Sequence, residues 1–368
     1  VAKLQKLKIL KFEYTTISAA GMKEVAKLKE LESLDLYGSG ASEESLKEVA
    51  KLQKLKWLNL DQNKISDEGL QHLYNLKNLT SLHLPYGSSR TLDLVRLKEE
   101  LPTCFIREGL ESLKRVPKRP PRSPDAQKAE AQMTPTPPQV PSPEPDPVPP
   151  ADEKLIADPF VEKAVRKSLE KPEGELTVAD LGNVIELNLA DTQITDAGLK
   201  EVAKLQKLEV LLLNNTKITD AGLKEVAKLQ KLIGLWLNDT QITNAGLKEV
   251  AKLQKLEMLW LNGTQITNAG LKEVAKLQKL ETLWLNLPQI TDAGLKEVAK
   301  LQKLDGLDLN DTQITDEGLK EVAKWQMLTS FNLSGTKVTD QGLKEVAKLQ
   351  KLEVLLLNNT KITDAGLK

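Results

Sequence analysis

Residues 256–272 read LEMLWLNGTQITNAGLK, and two periodicities meet in them. In the first half Leu259 and Leu261 alternate with Met258, Trp260 and Asn262, the period of two that marks a strand with one buried face. The second half changes period. In the copy TDAGLKEVAKL at 195–205, Leu199, Val202 and Ala203 recur at i, i+3 and i+4, the buried stripe of a short helix. Thr195 is placed to cap that helix, Asp196 to favour its positive end, and Ile194 to staple against Leu199. Elements this short cannot bury their leucines alone, so the unit must stack on copies of itself.

The copies are present. The pattern reopens at Leu208, Leu232, Leu256, Leu280, Leu304, Leu328 and Leu352, a period of 24, and again at Leu7, Leu31, Leu55 and Leu79. Apolar residues make up 40% of the chain but aromatics only 4%, so leucine, isoleucine and valine do the packing. The fold class this predicts is an α/β solenoid: parallel strands line a concave face and helices form the convex one. Lysines such as Lys200, Lys204 and Lys207 then fall on the solvated outer side.

Composition excludes several functions. Lys plus Arg and Asp plus Glu both number 52, and this zero net charge removes the bulk electrostatic argument for nucleic acid or an anionic membrane. The apolar runs are too short to span a bilayer. One cysteine, Cys104, rules out an internal disulfide framework. Val1 and Lys368 both fall in mid-repeat, so the chain reads as a fragment whose compartment, bacterial cytoplasm or exported, stays open.

Thirteen of the eighteen prolines fall between Pro117 and Pro150, which reads as an extended linker. Four segments follow: a first repeat array at 1–113, a linker at 114–151, a helical cap at 152–183, and a second array at 184–368. In the cap, Phe160, Ala164, Val165 and Leu169 give a stripe able to cover the first repeat of the second array.

The unit L-x-x-L-x-L-x-x-T-x-I-T-D-A-G-L-K-E-V-A-K-L-Q-K resembles the leucine-rich repeat, with Thr usually where that family has Asn or Cys. It is most similar to the bacterial T-D-x-G-L-K type, near ribonuclease-inhibitor-like and F-box-associated relatives. Residues 158–189 resemble the N-terminal cap of internalin-like proteins, and LVRLKEELPTCFIRE at 94–108 resembles the helix and short strand that close such arrays. The resemblance implies a protein-interaction surface, but a fold does not name its ligand.

Support for catalysis is thin. His72 and His83 are the only histidines, and no metal-binding, phosphate-cradling or nucleophile motif accompanies them. Cys104 and His83 lie near the end of one array, yet a thiol in a cap strand reads more simply as a small buried hydrophobe. No cofactor and no metal is implied.

The pleat sorts the aromatics. Phe12 and Phe331 replace inward leucines, and Trp325 replaces a helix leucine. Trp236, Trp260 and Trp284 point outward from the concave face, and Trp57 does so in the first array. Neighbouring strands lie ~4.8 Å apart, so the three indoles should form a column. Leu212 extends it, Val210 and Met258 flank it, Leu287 sits at its lip, and it turns polar at Asp308 and Asn332. Beside it runs a file of amides, Asn214, Asn238, Asn262, Asn286 and Asn310, while Tyr37, Trp57, Asp61 and His83 mark the concave face of the first array. The expected function is non-catalytic binding of a protein or peptide on this strip. Two alternatives are carbohydrate binding by the indoles, and a regulatory or targeting segment of a larger enzyme or ubiquitin-ligase-like receptor.

Overall fold

The computed structural model describes residues 1–88, 94–108 and 154–368; the proline-rich stretch lies outside these residues. Each repeat contributes one short strand, a turn and one helix of up to two turns. The strands are β1 (Ile9–Lys11), β2 (Ser33–Asp35), β3 (Trp57–Asn59), β4 (Ser81–Leu84) and β5 (Phe105–Glu108) before the proline-rich stretch. After it come β6 (Glu186–Asn188), β7 (Val210–Leu212), β8 (Gly234–Trp236), β9 (Met258–Trp260), β10 (Thr282–Trp284), β11 (Gly306–Asp308), β12 (Ser330–Asn332) and β13 (Val354–Leu356).

The central residue of each three-residue strand points inward and is buried, as with Leu235, Leu259 and Leu283. Leucines of the following turn and the Leu and Val of the helix complete one continuous core. Each such side chain stabilises by about 1.5–3 kcal/mol on burial. Phe12, Phe331 and Trp325 occupy core positions as the pattern predicts. Leu287, expected at the lip, is instead fully buried, because Pro288 takes the place of the repeat's threonine and Leu287 fills the space beneath.

The two arrays do not form separate sheets. Among the described residues all strands lie in one 13-stranded parallel sheet in the order β5-β4-β3-β2-β1-β13-β12-β11-β10-β9-β8-β7-β6. The joint is β1 against β13, in the register Ile9↔Val354, Leu10↔Leu355 and Lys11↔Leu356. It reproduces the bonding between ordinary neighbours: the Glu13 amide donates to Asn358 Oδ1 at 3.0 Å, and the Ser18 amide donates to Asp364 Oδ1 at 3.0 Å. The physical reason is that the open end of a solenoid exposes leucines and an unpaired strand edge, and β1 and β13 carry matching patterns that cover each other.

The T-D-x-G signature has a specific cause. Asp220 receives both the backbone amide (2.8 Å) and the hydroxyl (2.6 Å) of Thr243 in the next repeat. The same pair recurs from Asp196 to Thr219, from Asp292 to Thr315, from Asp316 to Thr339 and from Asp340 to Thr363. So the aspartate, expected to serve its own helix, ties one repeat to the next. Thr219 and Thr243 also cap their helices through their hydroxyls, whereas Thr195 does not, because the helix Leu199–Val202 starts three residues later than its counterparts.

The glycine follows from the aspartate. A Cβ on Gly246 would stand 2.7 Å from Leu223 Cδ1 and 3.2 Å from Asp220 Cγ, and closer still to Oδ1. Where the preceding repeat has Ala19 at the aspartate position, the glycine position holds a buried Ser45. The buried threonines complete the turn: the hydroxyls of Thr216, Thr240 and Thr264 donate to the carbonyls of Leu213, Leu237 and Leu261. In the first array that position is held by Thr15, Ser39 and then Asn63, the last donating to the Leu36 and Leu60 carbonyls and accepting from the Ala41 amide.

At the N-terminal end the helix Pro159–Ser168 covers β6, with the Ser168 hydroxyl donating to the Glu186 carbonyl at 2.7 Å. Its buried stripe is Val161 and Val165, with Ala164 and Leu169 partly buried beside them. Phe160, expected in that stripe, is 36% exposed, because Asp158 caps the helix and sets a phase that turns Val161 inward. The helix Leu94–Glu100 and β5 close the other end.

Two outcomes test this architecture. Gly246→Ala should destabilise the array by about 1–3 kcal/mol in urea unfolding, the usual cost of overpacking, and Asp220→Ala in the same molecule should offset part of it. Costs that simply add would remove the link between the two positions. Lys8 Nζ lies 2.8 Å from Glu353 Oε2, so a carbodiimide should join these residues within a monomer, read as a cross-linked peptide by mass spectrometry. Its absence would separate the arrays.

Candidate functional site

The concave face carries two outward files on its strands. The third residues run Leu212, Trp236, Trp260, Trp284, Asp308 and Asn332, then continue through Leu356, Lys11, Asp35, Asn59, His83 and Arg107. The first residues form the other file, from Val210 and Gly234 through Met258, Thr282 and Gly306. The joint therefore makes the two arrays share one surface.

The expected column forms. Trp236 meets Trp260 edge-on with ring centroids 4.9 Å apart, and Trp260 stacks on Trp284 at 4.0 Å with planes 2° apart. Each pair contributes about 0.5–1.5 kcal/mol beyond its burial. Trp236 differs because of Gly234: a Cβ there would lie 2.6 Å from Trp236 Cζ3, so the indole folds down over the bare glycine. Met258 and Thr282 hold the equivalent positions next to Trp260 and Trp284. Trp260 Nε1 is buried, with no hydrogen-bond partner among the described residues.

Trp57 lies on the concave face but in the other file, paired in register with Ser33 and Ser81. It packs edge-on against His83 at 5.2 Å. Tyr37 stands on the continuation of the asparagine file and meets Tyr14 edge-on at 5.1 Å. A hydrogen bond between the two hydroxyls pushes the Tyr37 phenol up to about 12.

The asparagines have a backbone duty that the pattern alone did not reveal. Asn214 Oδ1 accepts from the Asn238 amide (3.1 Å), Asn238 Oδ1 from the Asn262 amide (3.0 Å), and Asn262 Oδ1 from the Asn286 amide (2.9 Å). Where the neighbouring file holds a short polar residue, that residue does this work within its own repeat. Asp308 accepts from the Asn310 amide, Asn332 from the Ser334 amide, Asp35 from the Tyr37 amide and Asn59 from the Asp61 amide. Tryptophan cannot accept a hydrogen bond, so the amides beside Trp236, Trp260 and Trp284 depend on the preceding asparagine. Asn310 itself is turned to Asp311 Oδ2 through Nδ2.

Two carboxyls on this face are perturbed. Burial holds Asp308 above the usual carboxylate range, against hydrogen bonds from the Asn310 amide and Asn332 Nδ2. Burial raises Asp35 to about 6, with Glu13 nearby adding to the effect.

The groups considered for catalysis do not converge. His83 lies on the concave face in register with Arg107 and is held below the usual histidine range by burial. Cys104 precedes β5 and packs against the core on the opposite side of the sheet. Burial pushes its thiol up to about 11, away from a nucleophilic thiolate. His72 is 3.9 Å from Glu43 on the helical side. Among the described residues no group of three or more His, Cys, Asp or Glu is arranged to hold a metal, and no helix is long and apolar enough to cross a membrane.

Asp35 supplies a pH test. Its folded-state value exceeds the ordinary carboxyl value near 3.9, so the fold binds more protons than the unfolded chain between about pH 4 and 6. Stability from this group is therefore present at low pH and lost as pH rises through about 6. Asp35→Asn should flatten the profile of urea midpoint against pH and stabilise at pH 7 by roughly 1–3 kcal/mol. An unchanged slope would place the perturbation elsewhere.

Comparison with known proteins follows the repeat. A leucine-rich-repeat family model matches residues 51–73, 183–203, 300–323 and 326–347. No curated protein matches the chain. Among solved structures, the chain is similar to internalin C2 of Listeria monocytogenes, at 29% identity and a TM-score of 0.47 over 56% of this chain and 87% of that one. It is also similar to internalin F of the same organism (19% identity, TM-score 0.36, 90% and 82%). A third is the ectodomain of the Arabidopsis thaliana receptor kinase GASSHO1/SCHENGEN3 (15%, 0.35, 98% and 39%). By repeat sequence and sheet topology, the fold is an open leucine-rich-repeat solenoid.

Proposed function

We propose that this protein is a non-catalytic binding module that holds a protein or peptide on its concave face, anchored at Trp236, Trp260 and Trp284. The observation that carries the reading is the placement of three half-buried indoles on an outward file that the core does not need. Core positions here are satisfied by leucine, as Leu235, Leu259 and Leu283 show on the same strands. Leu212, Val210 and Met258 widen the apolar strip, and the Asn238 and Asn262 side chains border it. Large aromatic anchors within a polar border are the usual anatomy of a binding hot spot. The asparagines contribute mainly by keeping the backbone beneath the indoles satisfied, with Nδ2 left to face a ligand.

A carbohydrate platform fits the geometry less well. Sugars stack on open indole faces, and Trp260 is engaged by Trp236 and Trp284. In the further alternative, a binding segment that serves a larger enzyme, the concave surface would have the same role.

The test is affinity capture from extract with the full chain as bait, against a bait carrying Trp236→Ala, Trp260→Ala and Trp284→Ala, after circular dichroism shows equal folding. A partner retained by the first and lost by the second is the expected result. Equal capture by both would reduce the column to stacking between repeats.

A further inference from the structure

The aromatic column ends abruptly, and its end has a chemistry of its own. Trp284 gives one face to Trp260, with planes 2° apart and centroids 4.0 Å apart, so its other face is turned toward the next strand, β11. In register with Trp284 on that strand stands not a fourth indole but the short side chain of Asp308, and in register with Thr282 stands Gly306. A Cβ at Gly306 would meet nothing nearer than the Thr282 side chain, at 3.5 Å, an ordinary contact, so there is room above the sheet there. The result is a step: a tall indole wall, a glycine floor and a carboxylate opposite the wall.

The carboxylate is held in place and has no cationic partner. Oδ1 accepts from the Asn310 amide at 2.8 Å and Oδ2 from Asn332 Nδ2 at 3.1 Å. Each oxygen keeps a further lone pair. The charged group that bears on it most is another acid, Asp311, and no Lys or Arg is ion-paired with it among the described residues. A half-buried carboxylate that gains hydrogen bonds but no counter-charge, beside a half-buried indole, is complementary to a flat cation.

The geometry points to this step as the subsite for an arginine side chain of the bound polypeptide, its guanidinium stacked on Trp284 as the next plate of the Trp260–Trp284 stack and hydrogen-bonded to Asp308. This rests on the reading of the concave face as a polypeptide-binding surface and adds the charge its ligand carries. Guanidinium suits the site better than ammonium because it is planar and weakly hydrated, stacks on indoles, and presents paired donors to a carboxylate. The preceding indoles then receive apolar side chains, so the ligand sequence is apolar on one side of its arginine.

The probe is N-acetylarginine amide, with N-acetylcitrulline amide as its neutral, near-isosteric control, titrated into the full chain with 15N-labelled tryptophan. The five indole signals are read by NMR, with Trp284→Phe to assign the relevant one. The expected result is a saturable shift of the Trp284 signal with the arginine amide, and a weaker or absent one with citrulline. Asp308→Asn, which keeps the acceptor for Asn310, should weaken the arginine response about fivefold or more. Gly306→Val, which fills the floor and leaves all charges in place, should block it. No shift at Trp284, an equal shift with citrulline, or an unchanged response in Asp308→Asn would overturn the assignment. The capture experiment reads the indoles as a whole, so loss of the partner there without a response to arginine would keep the binding surface and remove only this subsite.

Discussion

The spacing of the repeats in the second array rests on hydrogen bonds that a threonine donates to the aspartate of the repeat before it, with Asn244 and Asn268 standing in for the aspartate at two junctions. Hydrophobic burial supplies most of the driving force, yet it is non-directional and would tolerate neighbours sliding by a fraction of a turn. The carboxylate of Asp220, gripping both the amide and the hydroxyl of Thr243, fixes the distance and rotation between units. Because it lies against Gly246, it also dictates that the third residue onward has no side chain. The four-letter signature is thus one interaction written across two repeats. Its replacement by alanine and serine at Ala19 and Ser45 shows the same interaction omitted as a unit.

A second ladder runs along the concave face and decides what that face can display. Every strand end leaves a backbone amide that needs an acceptor. Asp308, Asn332, Asp35 and Asn59 meet this need locally, at the cost of committing the outward side chain to the backbone. The asparagines at 214, 238 and 262 meet it from one repeat away, which releases the exposed position for tryptophan. The amide file and the indole file are therefore two parts of a single device, and the boundary of the column at Asp308 is where one mode of bonding gives way to the other.

Much of this was legible in the amino-acid order. Period-two leucines and the i, i+3, i+4 stripe announce strand and helix, and outward placement of Trp236, Trp260 and Trp284 follows from the pleat alone. What was not legible involves partners remote in sequence. The merging of two arrays into one sheet rests on contacts such as Lys8 with Glu353, across a proline-rich stretch that reads as a separator. Leu287 was misplaced because Pro288 locally displaces the pattern by one residue. Phe160 was misplaced because the cap at Asp158 sets the phase of its helix. The duty of Asn214, Asn238 and Asn262 follows from a contact one repeat away: each accepts from an amide whose own strand ends in a Trp that cannot accept a bond.

The sheet also acts as a ruler with a fixed graduation. Its exposed files advance by one strand spacing, ~4.8 Å, whereas an extended polypeptide crossing the strands presents same-side residues every ~6.7 Å. The two scales coincide only about once in seven strands, so a ligand cannot match every position and must be recognised at a few. On the proposed reading, a column of three adjacent indoles would relax this mismatch, since any of them could meet an incoming side chain, and the charged notch at its end would restore the register. Tolerance along the column and precision at its edge would then be consequences of the same vernier.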